Sequence, residues 1–412
     1  MQRRIVSRIS HLKRHDLWLF QSLCFSSERI LIPGGNPDEP LYTDVPKPCK
    51  KKFERKPYPT PMKILIRRAK EEKEARKAQP CRLLEQPPDN GLLVPELVGV
   101  ARQVYRARQS VLHGLSKLLQ VIRLQRCRYC YEVHVGQVGH EIRSCNGPKS
   151  GFRSARHVWR KGGLQDVIFF PKCFHLSDRV GKPRVGHDER HDIPRIAAIL
   201  ELCIQAGVDL YKYPTKRRTR PVYSIEGRIV DFESVTKTDE MERNNVVTET
   251  EGMMDPNLEN ADNYFDETGN EIGENLRALS VWTLESWFEM ISGAKKIMEQ
   301  YSVKTCGYCP EVQVGPKGHK VRMCRASEHQ SRNGLHAWQE ATIDDLVGPN
   351  YVWHVHDANE PALNNNLKRY YGKAPAVVEL CVQAGAPVPD QYRSMMRLDV
   401  VSPDRDEVDL VA

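Results

Sequence analysis

One pattern of cysteines and histidines occurs twice in this chain, and it constrains the fold more than any other feature. Its spacing is C-x2-C-x14-C-x11-H-x17-H, and the second copy follows the first at an offset of 179 residues. A cysteine that only fills the core needs no fixed sequence spacing to a histidine. Cysteines and histidines that bind the same metal ion do need such a spacing. The sequence therefore predicts two copies of one module, each organised around a metal site.

Zinc in structural sites takes four nitrogen or sulfur ligands arranged as a tetrahedron. We expect two zinc ions, one in each repeat. The preferred ligands are Cys127, Cys130, Cys145 and His157 in the first repeat, and Cys306, Cys309, Cys324 and His336 in the second. Four other repeated histidines are alternative ligands: His140, His175, His319 and His354.

The segment after the second cysteine decides which histidine is preferred. Residues 132–135 alternate as a strand does, and a glycine-flanked turn follows. A returning strand over 140–145 brings Cys145 back beside the C-x2-C turn and leaves His140 about 15 Å away, at the tip of the hairpin. His157 is preferred for this reason, and His140 would replace it only if this hairpin is wrong.

Helical periodicity flanks each metal pattern. A long helix begins near Pro95, and its counterpart begins near Leu276. The counterpart carries Trp282, Trp287 and Phe288, which are suited either to packing on the first module or a partner, or to the second module's own core. The predicted fold class is α+β: two repeated zinc-stabilised modules, each with a long helix, a C-x2-C knuckle with a β-hairpin, and a shorter C-terminal helix.

The composition changes along the chain and divides it into six regions. The regions are an organellar transit peptide (1–30), a proline-rich and basic region (31–91), the first module (92–220), an acidic linker (221–270), the second module (271–397) and an acidic tail (398–412). The first region contains arginines, serines and an amphipathic apolar stripe but almost no acids, which is typical of a mitochondrial address. We predict the mitochondrial matrix, with the chloroplast stroma as the second choice.

The basic charge is concentrated in the first half. The first module carries 24 Lys and Arg against 10 acidic residues, whereas residues 275–397 carry 14 against 12. Such an asymmetry indicates a polyanionic partner, most simply RNA. Because no apolar run reaches the ~18 residues of a membrane span, insertion into a membrane is not expected. The candidate RNA-binding residues are Arg143 and Arg153 beside the first metal pattern, and Lys63, Arg67, Arg68 and Lys70 on a predicted basic helix over 62–77.

Two other chemical classes compete with RNA binding. Three cysteines and a histidine can also hold an iron–sulfur cluster, and a metal-dependent nuclease could be built on the His-rich centre. The segment His187–His191 is a separate candidate for a catalytic metal site. The sequence contains no phosphate-binding loop, dinucleotide fingerprint or nucleophile elbow. We therefore predict a binding protein and not an enzyme.

The doubled pattern resembles the plant APO family, named for accumulation of photosystem one. The resemblance covers residues 46–392 and rests on C-x2-C, V-x-V-G-x-x-G-H-x-x-R-x-C and H-x-W in both repeats, together with Lys56-Pro-Tyr-Pro-Thr-Pro61 before the basic helix. It implies an organellar, zinc-dependent RNA-binding protein that acts on intron-containing transcripts with other factors in group II intron splicing. It also implies an alternative, support for the assembly of complexes that contain [4Fe–4S] clusters.

Overall fold

Helices and short antiparallel strands make up the computed structural model of this protein. It describes residues 62–78, 82–175, 177–182, 193–213, 215, 218–225, 228–231, 272–326, 333–359, 362–401, 403 and 407. The predicted transit peptide, most of the acidic linker and the His187–His191 segment lie outside these residues. Among the helices that are described, none has the length and apolar character needed to cross a lipid bilayer.

The basic helix predicted over 62–77 is present as α1 (Met62–Lys77). The charged side chains that the structure describes on α1 are exposed, and Arg67 forms a solvent-exposed ion pair with Glu71 at 3.8 Å. Because an exposed pair of this kind contributes little to stability, the cations of α1 remain accessible to an external anion.

Short strands outnumber helices in the described part of the first repeat. After β1 (Arg82–Leu83), its elements are α2 (Pro95–Val121), β2 (Leu124–Cys127), β3 (Val133–Val135), β4 (Trp159–Lys161), α3 (Leu164–Val167), β5 (Ile168–Phe169), β6 (Lys172–Cys173), β7 (Ile196–Ala197) and α4 (Ala198–Gln205). A hairpin of β8 (Tyr223–Ile225) and β9 (Arg228–Val230) follows. This hairpin lies in the stretch that the sequence assigns to the acidic linker, and β8 pairs with β1 from before the repeat.

The second repeat has the same order of elements and adds one short helix at its end. They are α5 (Ile272–Met298), β10 (Val303–Cys306), β11 (Val312–Val314), β12 (Trp338–Glu340), α6 (Ile343–Leu346), β13 (Gly348–Pro349), β14 (Tyr351–Trp353), β15 (Lys373–Pro375), α7 (Ala376–Gln383) and α8 (Arg393–Met396). The mixture of helices and small antiparallel sheets agrees with the predicted fold class.

Proline and an apolar stripe account for α2. Pro95 stands in the first turn, where a missing backbone N–H is not needed. The helix ends because Ile122 adopts an extended conformation. The buried face of α2 includes Ala101, Val104, Val111, Leu115 and Leu118. This spacing of three and four residues places one continuous stripe against the core.

The two long helices, α2 and α5, pack antiparallel at the centre of the fold. A Cβ atom on Gly114 of α2 would lie 1.9 Å from Oγ1 of Thr283, and one on Gly293 of α5 would lie 2.5 Å from a methyl group of Val104. Only glycine permits such an approach. The two glycines are equivalent in the repeat, and so are their two contacts. The repeats are therefore related by an approximate twofold axis between the helices.

The aromatic side chains of α5 show what this helix packs on. Trp287 is fully buried in a core that is continuous with the buried face of α2. Phe288 stacks on Tyr392 with 6.4 Å between ring centroids, and Trp282 remains 38% exposed with its edge toward His113 of α2. The helix therefore packs on the first repeat and also contributes to the core of its own repeat.

Each metal pattern belongs to a three-stranded antiparallel sheet, in the order β3–β2–β4 and β11–β10–β12. The hairpin that carries each C-x2-C knuckle therefore has one strand before the knuckle and one after it. The returning strand predicted over 140–145 is wrong. Strand β2 already pairs with β3, and the chain after β3 instead makes backbone bonds to the other repeat, from Gln137 N–H to the Ala358 oxygen and from Glu141 N–H to the Leu363 oxygen.

The last segment of each repeat packs on the sheet of the other. Strand β5 pairs with β13 across the twofold axis, α4 and β6 contact β11, and α7 and β14 contact β3. Neither sheet is covered by its own repeat alone. The two repeats therefore form one interlocked body with a shared core.

Candidate metal centres and RNA-binding residues

The four preferred ligands of the first repeat meet at one end of its sheet. Their ligand atoms all lie within 4.8 Å of one another. The Sγ atoms of Cys127 and Cys145 are 4.0 Å apart, and Cys130 Sγ lies 3.4 Å from His157 Nδ1. A tetrahedral zinc ion with bonds of about 2.0–2.3 Å places its ligand atoms about 3.4–3.8 Å apart. The spacing therefore fits one metal ion.

Backbone hydrogen bonds hold the thiols in place. The N–H of Cys127 donates to the Glu132 oxygen, and the N–H of Cys145 donates to the Ala155 oxygen, both at 2.9 Å. The N–H of Tyr129 donates to Cys127 Sγ at 3.4 Å. An N–H aimed at sulfur favours the thiolate, which is the form that binds metal. The knuckle is thus built to present anionic sulfur.

The second repeat contains the same cluster. Its members are Cys306, Cys309, Cys324 and His336. Cys309 Sγ lies 3.2 Å from His336 Nδ1. The N–H groups of Cys306 and Cys324 donate to the oxygens of Glu311 and Gly334 at 2.9 and 3.0 Å, which are the equivalent bonds. Two independent copies of one geometry indicate that the arrangement has a common purpose in both repeats.

The thiols of each cluster share their protons unequally. A hydrogen bond from the Cys309 thiol, with further ones from His336 and the backbone, lowers the pKa of Cys306 to about 3 against the effect of burial. The same hydrogen bond and burial raise the pKa of Cys309. In the first cluster, burial raises the pKa of Cys130 to about 12. A negative charge concentrated on close sulfur atoms is the electrostatic condition for binding a cation.

A buried histidine lies behind the first cluster. The ring of His140 stands edge-on to that of His157 at 4.9 Å and to that of Trp159 at 4.7 Å, and its Nε2 is 3.8 Å from a carboxylate oxygen of Glu132. The position expected for His140, at a distant hairpin tip, is therefore wrong. A Cβ on Gly139 would lie 2.2 Å from the Trp159 ring, so glycine is required there. His140 supports the preferred ligand and does not replace it in the cluster.

The second repeat reproduces this support. The ring of His319 stands edge-on to those of His336 and Trp338, each at 4.9 Å. Its Nε2 lies 3.2 Å from a carboxylate oxygen of Glu311. Partners of this kind fix the orientation of a ligand histidine.

The two remaining alternative histidines lie elsewhere. His175 Nδ1 is 2.6 Å from Glu201 Oε2, and both side chains are fully buried. His354 Nδ1 is 2.9 Å from Glu379 Oε2. Neither histidine joins a metal cluster among the described residues. They instead attach the loops that follow β6 and β14 to the short helices α4 and α7.

Both repeats match one family model. The model, described as APO RNA-binding, matches residues 35–231 and 272–403, which make up most of the chain. This chain belongs to the APO RNA-binding family. The resemblance drawn from the doubled pattern is confirmed.

Three APO proteins of Arabidopsis thaliana are similar over nearly the whole chain. APO protein 3, mitochondrial, is 64% identical over 383 residues, which cover 92% of each chain. APO protein 2, chloroplastic, is 44% identical over 94% of this chain and 86% of its own. APO protein 1, chloroplastic, is 40% identical over 90% of this chain and 83% of its own. No solved structure matches the chain significantly.

The predicted RNA-binding residues of this APO chain fall in two places. Arg153 reaches the first metal cluster, where its Nη2 donates to Cys145 Sγ at 3.7 Å and its guanidinium lies 4.0 Å from the centroid of the Tyr129 ring. Arg143 is exposed, and its backbone N–H donates to Asn365 of the second repeat at 2.9 Å. The other four residues lie exposed on α1: Lys63, Arg67, Arg68 and Lys70.

Sequence reasoning missed the side chains that join the two APO repeats. Lys373 forms a buried ion pair with Glu132 at 3.3 Å, and Arg195 pairs with Glu311 at the equivalent place. The repeated run Glu-Leu-Cys-x-Gln-Ala-Gly at residues 201–207 could have revealed the buried carboxylates of α4 and α7. Its cysteine is core, as expected, but its glutamate and glutamine bond to each other beside the buried histidine.

Proposed function

We propose that this protein is a mitochondrial RNA-binding protein that acts as a non-catalytic cofactor in group II intron splicing, together with other splicing factors. The family model, which describes an RNA-binding domain, covers both repeats. A relative that is 64% identical is named a mitochondrial APO protein, and the first 30 residues have the composition of a mitochondrial address. The role in splicing follows from the APO resemblance.

Each cluster would hold one zinc ion. Three thiols and one imidazole are a donor set that zinc favours, and the ligand atoms already lie at suitable distances. The apolar cluster around the first centre contains only its three cysteines with Trp159 packed beside them. So small an apolar cluster contributes little on its own. The proposed zinc is therefore structural, since it holds the end of a three-stranded sheet.

The main observation in support of RNA binding is that the two repeats share one fold but differ in net charge. The two repeats share one set of elements and one type of cluster, yet the first module carries most of the net positive charge. A structural requirement would act on both repeats alike. The excess cations of the first repeat and of α1 are therefore assigned to phosphate binding.

Crosslinking tests this proposal directly. In isolated mitochondria, RNA crosslinked to the protein should be enriched in group II intron sequences over the flanking exons. Depletion of the protein should leave those introns unspliced while control transcripts without introns remain unchanged. Three results would contradict the proposed role. They are absence of the protein from mitochondria, absence of crosslinked RNA, and normal splicing after the protein is depleted. The iron–sulfur alternative is not favoured, because the family model that matches both repeats describes RNA binding.

A further inference from the structure

One cross-strand pair of the first sheet is charged where the equivalent pair of the second sheet is neutral. In the first sheet, Arg126 of β2 stands opposite Arg160 of β4. Like charges facing each other across a ladder are destabilising, and Asp166 at 3.0 Å compensates Arg126. The equivalent pair in the second sheet is Thr305 opposite Gln339. The first sheet therefore keeps an exposed cation, Arg160, that the fold itself does not require.

Three aromatic side chains are exposed beside these arginines. Tyr129 is 40% exposed, Tyr131 is 78% exposed and Phe152 is 93% exposed. All three belong to the loops that hold the first metal cluster. In the sequence of the second repeat, the corresponding residues are Tyr308, Pro310 and Ser331. A common structural role of the knuckle therefore does not explain the exposed rings at 131 and 152.

Guanidinium groups lie beside two of these rings, and the third ring adjoins an arginine in the chain. Arg126 lies 5.9 Å from the centroid of the Tyr131 ring. Arg128 and Arg153 lie 6.0 and 4.0 Å from the centroid of the Tyr129 ring. Phe152 precedes Arg153 in the same short 3-10 turn, Gly151–Arg153. Aromatic faces alternating with cations are the features by which proteins hold single-stranded nucleic acid.

We propose that this surface binds unpaired RNA nucleotides. The surface, here called the aromatic platform, consists of Tyr129, Tyr131, Phe152, Arg126, Arg128 and Arg160. Bases stack on the rings while the guanidinium groups bind the phosphates between them. The bases of a duplex are already stacked inside the helix, so only unpaired stretches can use these rings. The inference rests on the proposed RNA-binding function and adds its substrate class and its site.

The charge of the platform favours RNA over a protein partner. The buried centre of a protein–protein interface is depleted of charged residues. The platform instead has the guanidinium groups of Arg126 and Arg128 at its rings and an exposed cation, Arg160, on the adjoining strand. A protein covering it would have to desolvate these charges, whereas a phosphate backbone neutralises them.

Binding of the zinc-loaded full chain to two RNA probes tests the platform. One probe is a labelled single strand of about 20 nucleotides, longer than the ~4–16 nucleotides that single-strand-binding folds typically cover. The other is the same strand annealed to its complement. We expect Tyr131→Ala with Phe152→Ala to weaken binding of the single strand at least about fivefold, the lower end of the effect of one lost base–aromatic stack. Duplex binding should not change.

Control variants separate stacking from general damage. Tyr211→Ala removes an aromatic side chain that is 97% exposed outside the platform, and it should bind both probes like the wild type. Tyr131→Phe with Phe152→Tyr keeps both rings and should keep the affinity. Arg128→Gln with Arg160→Gln should lower the salt dependence of single-strand binding by about 1.4 in log–log slope, about 0.7 for each phosphate contact. The aromatic variants should leave that slope unchanged.

The outcomes distinguish this inference from the proposed function. If the wild type binds neither probe, the RNA-binding role itself fails. If the wild type binds the single strand and the aromatic double variant binds it equally well, the platform is overturned while RNA binding stands, and a protein partner becomes the better reading of the exposed rings. Equal losses for both probes would also overturn stacking. Phe152→Ala alone provides the same test if the double variant is unstable.

Discussion

The two repeats have the same frame but different surfaces. Cys127 and Cys306 end equivalent strands, stand opposite equivalent tryptophans and belong to matching clusters. Beside them, Arg126 corresponds to Thr305, and Arg128 corresponds to Gly307. The clusters, the crossing glycines and the ion pairs between repeats occur twice because each half of an interlocked body needs them. Arg126, Arg128 and the rings at 131 and 152 have no counterpart in the second repeat, and we assign them to the proposed RNA ligand.

Removing the ligands of one centre tests how far the halves depend on each other. Cys306→Ser with Cys309→Ser should lower the zinc content by about one ion per chain and make the whole body unfold in a single transition at a lower temperature. The effect should be large, because structural zinc contributes about 10–16 kcal/mol in zinc-finger peptides. Elemental analysis and calorimetry measure both quantities.

The matched variant is Cys127→Ser with Cys130→Ser, and it should shift the same single transition. A separate transition that remains at the wild-type temperature in either variant would show that the repeats unfold independently. It would also remove the basis for treating them as interlocked.

The ion pairs between the repeats should differ in strength despite their symmetry. Lys373→Met leaves Glu132 buried without its cation and should cost about 3–5 kcal/mol of unfolding free energy. Arg195→Met should cost less, because Arg195 is 31% exposed and Glu311 is 11% exposed, against 8% and 2% for Lys373 and Glu132. Urea unfolding measures both values. A larger loss for Arg195→Met would contradict this ranking.

The crossing of the long helices offers a symmetric test with a control in the same helix. Gly114→Ala and Gly293→Ala force a Cβ against Thr283 and Val104, and each should cost about 1–3 kcal/mol. In α2, a Cβ on Gly99 meets nothing within 4 Å, so Gly99→Ala should stabilise the protein by about 0.5–1 kcal/mol. Thermal unfolding of the three variants checks the signs, and a gain at Gly114 or Gly293 would show that the helices cross elsewhere.

The smallest effect concerns charge outside the two sheets. Lys63→Gln with Lys70→Gln on α1 should lower the log–log salt slope of RNA binding by about 1.4, since each lost phosphate contact removes about 0.7. Lys295→Gln with Lys296→Gln on α5 neutralises two exposed lysines of the second repeat and should leave the slope unchanged. Equal changes in the two variants would mean that RNA contacts both repeats alike.

The long helices and the members of each cluster were predictable from local pattern. Pro95 marks the start of α2, and one apolar stripe defines its buried face. The spacing from Cys127 to His157 selected the four residues that the structure brings together. Both inferences use only the order of residues within one repeat. Whether the clusters bind zinc remains a prediction.

The route of the chain between the repeats was not predictable in the same way. The two repeats have similar sheets and similar last segments. From the sequence alone, each sheet could therefore be covered equally well by the last segment of its own repeat or by that of the other repeat. Nothing in the sequence around Glu132 indicates that it pairs with Lys373 and not with Arg195. The predicted hairpin is wrong because β2 is hard to recognise in the sequence. It contains Gln125 and Arg126 and lacks the alternation of a half-buried strand. The sequence therefore pairs the strand after the knuckle with residues 140–145 and not with β2.

Because each repeat covers the sheet of the other, the first repeat cannot complete its fold until the second has been synthesised. Strand β5 pairs with a strand that lies about 180 residues further along the chain. At about 5–20 residues per second, the ribosome needs roughly 10–35 s to deliver that partner. Throughout this interval the parts of α4 and β6 that pack on β11 have no surface to cover them, however quickly the first repeat forms its own helix and hairpin. The exposure of the nascent first half to aggregation is therefore governed by the rate at which the second half is made, and not by its own rate of folding.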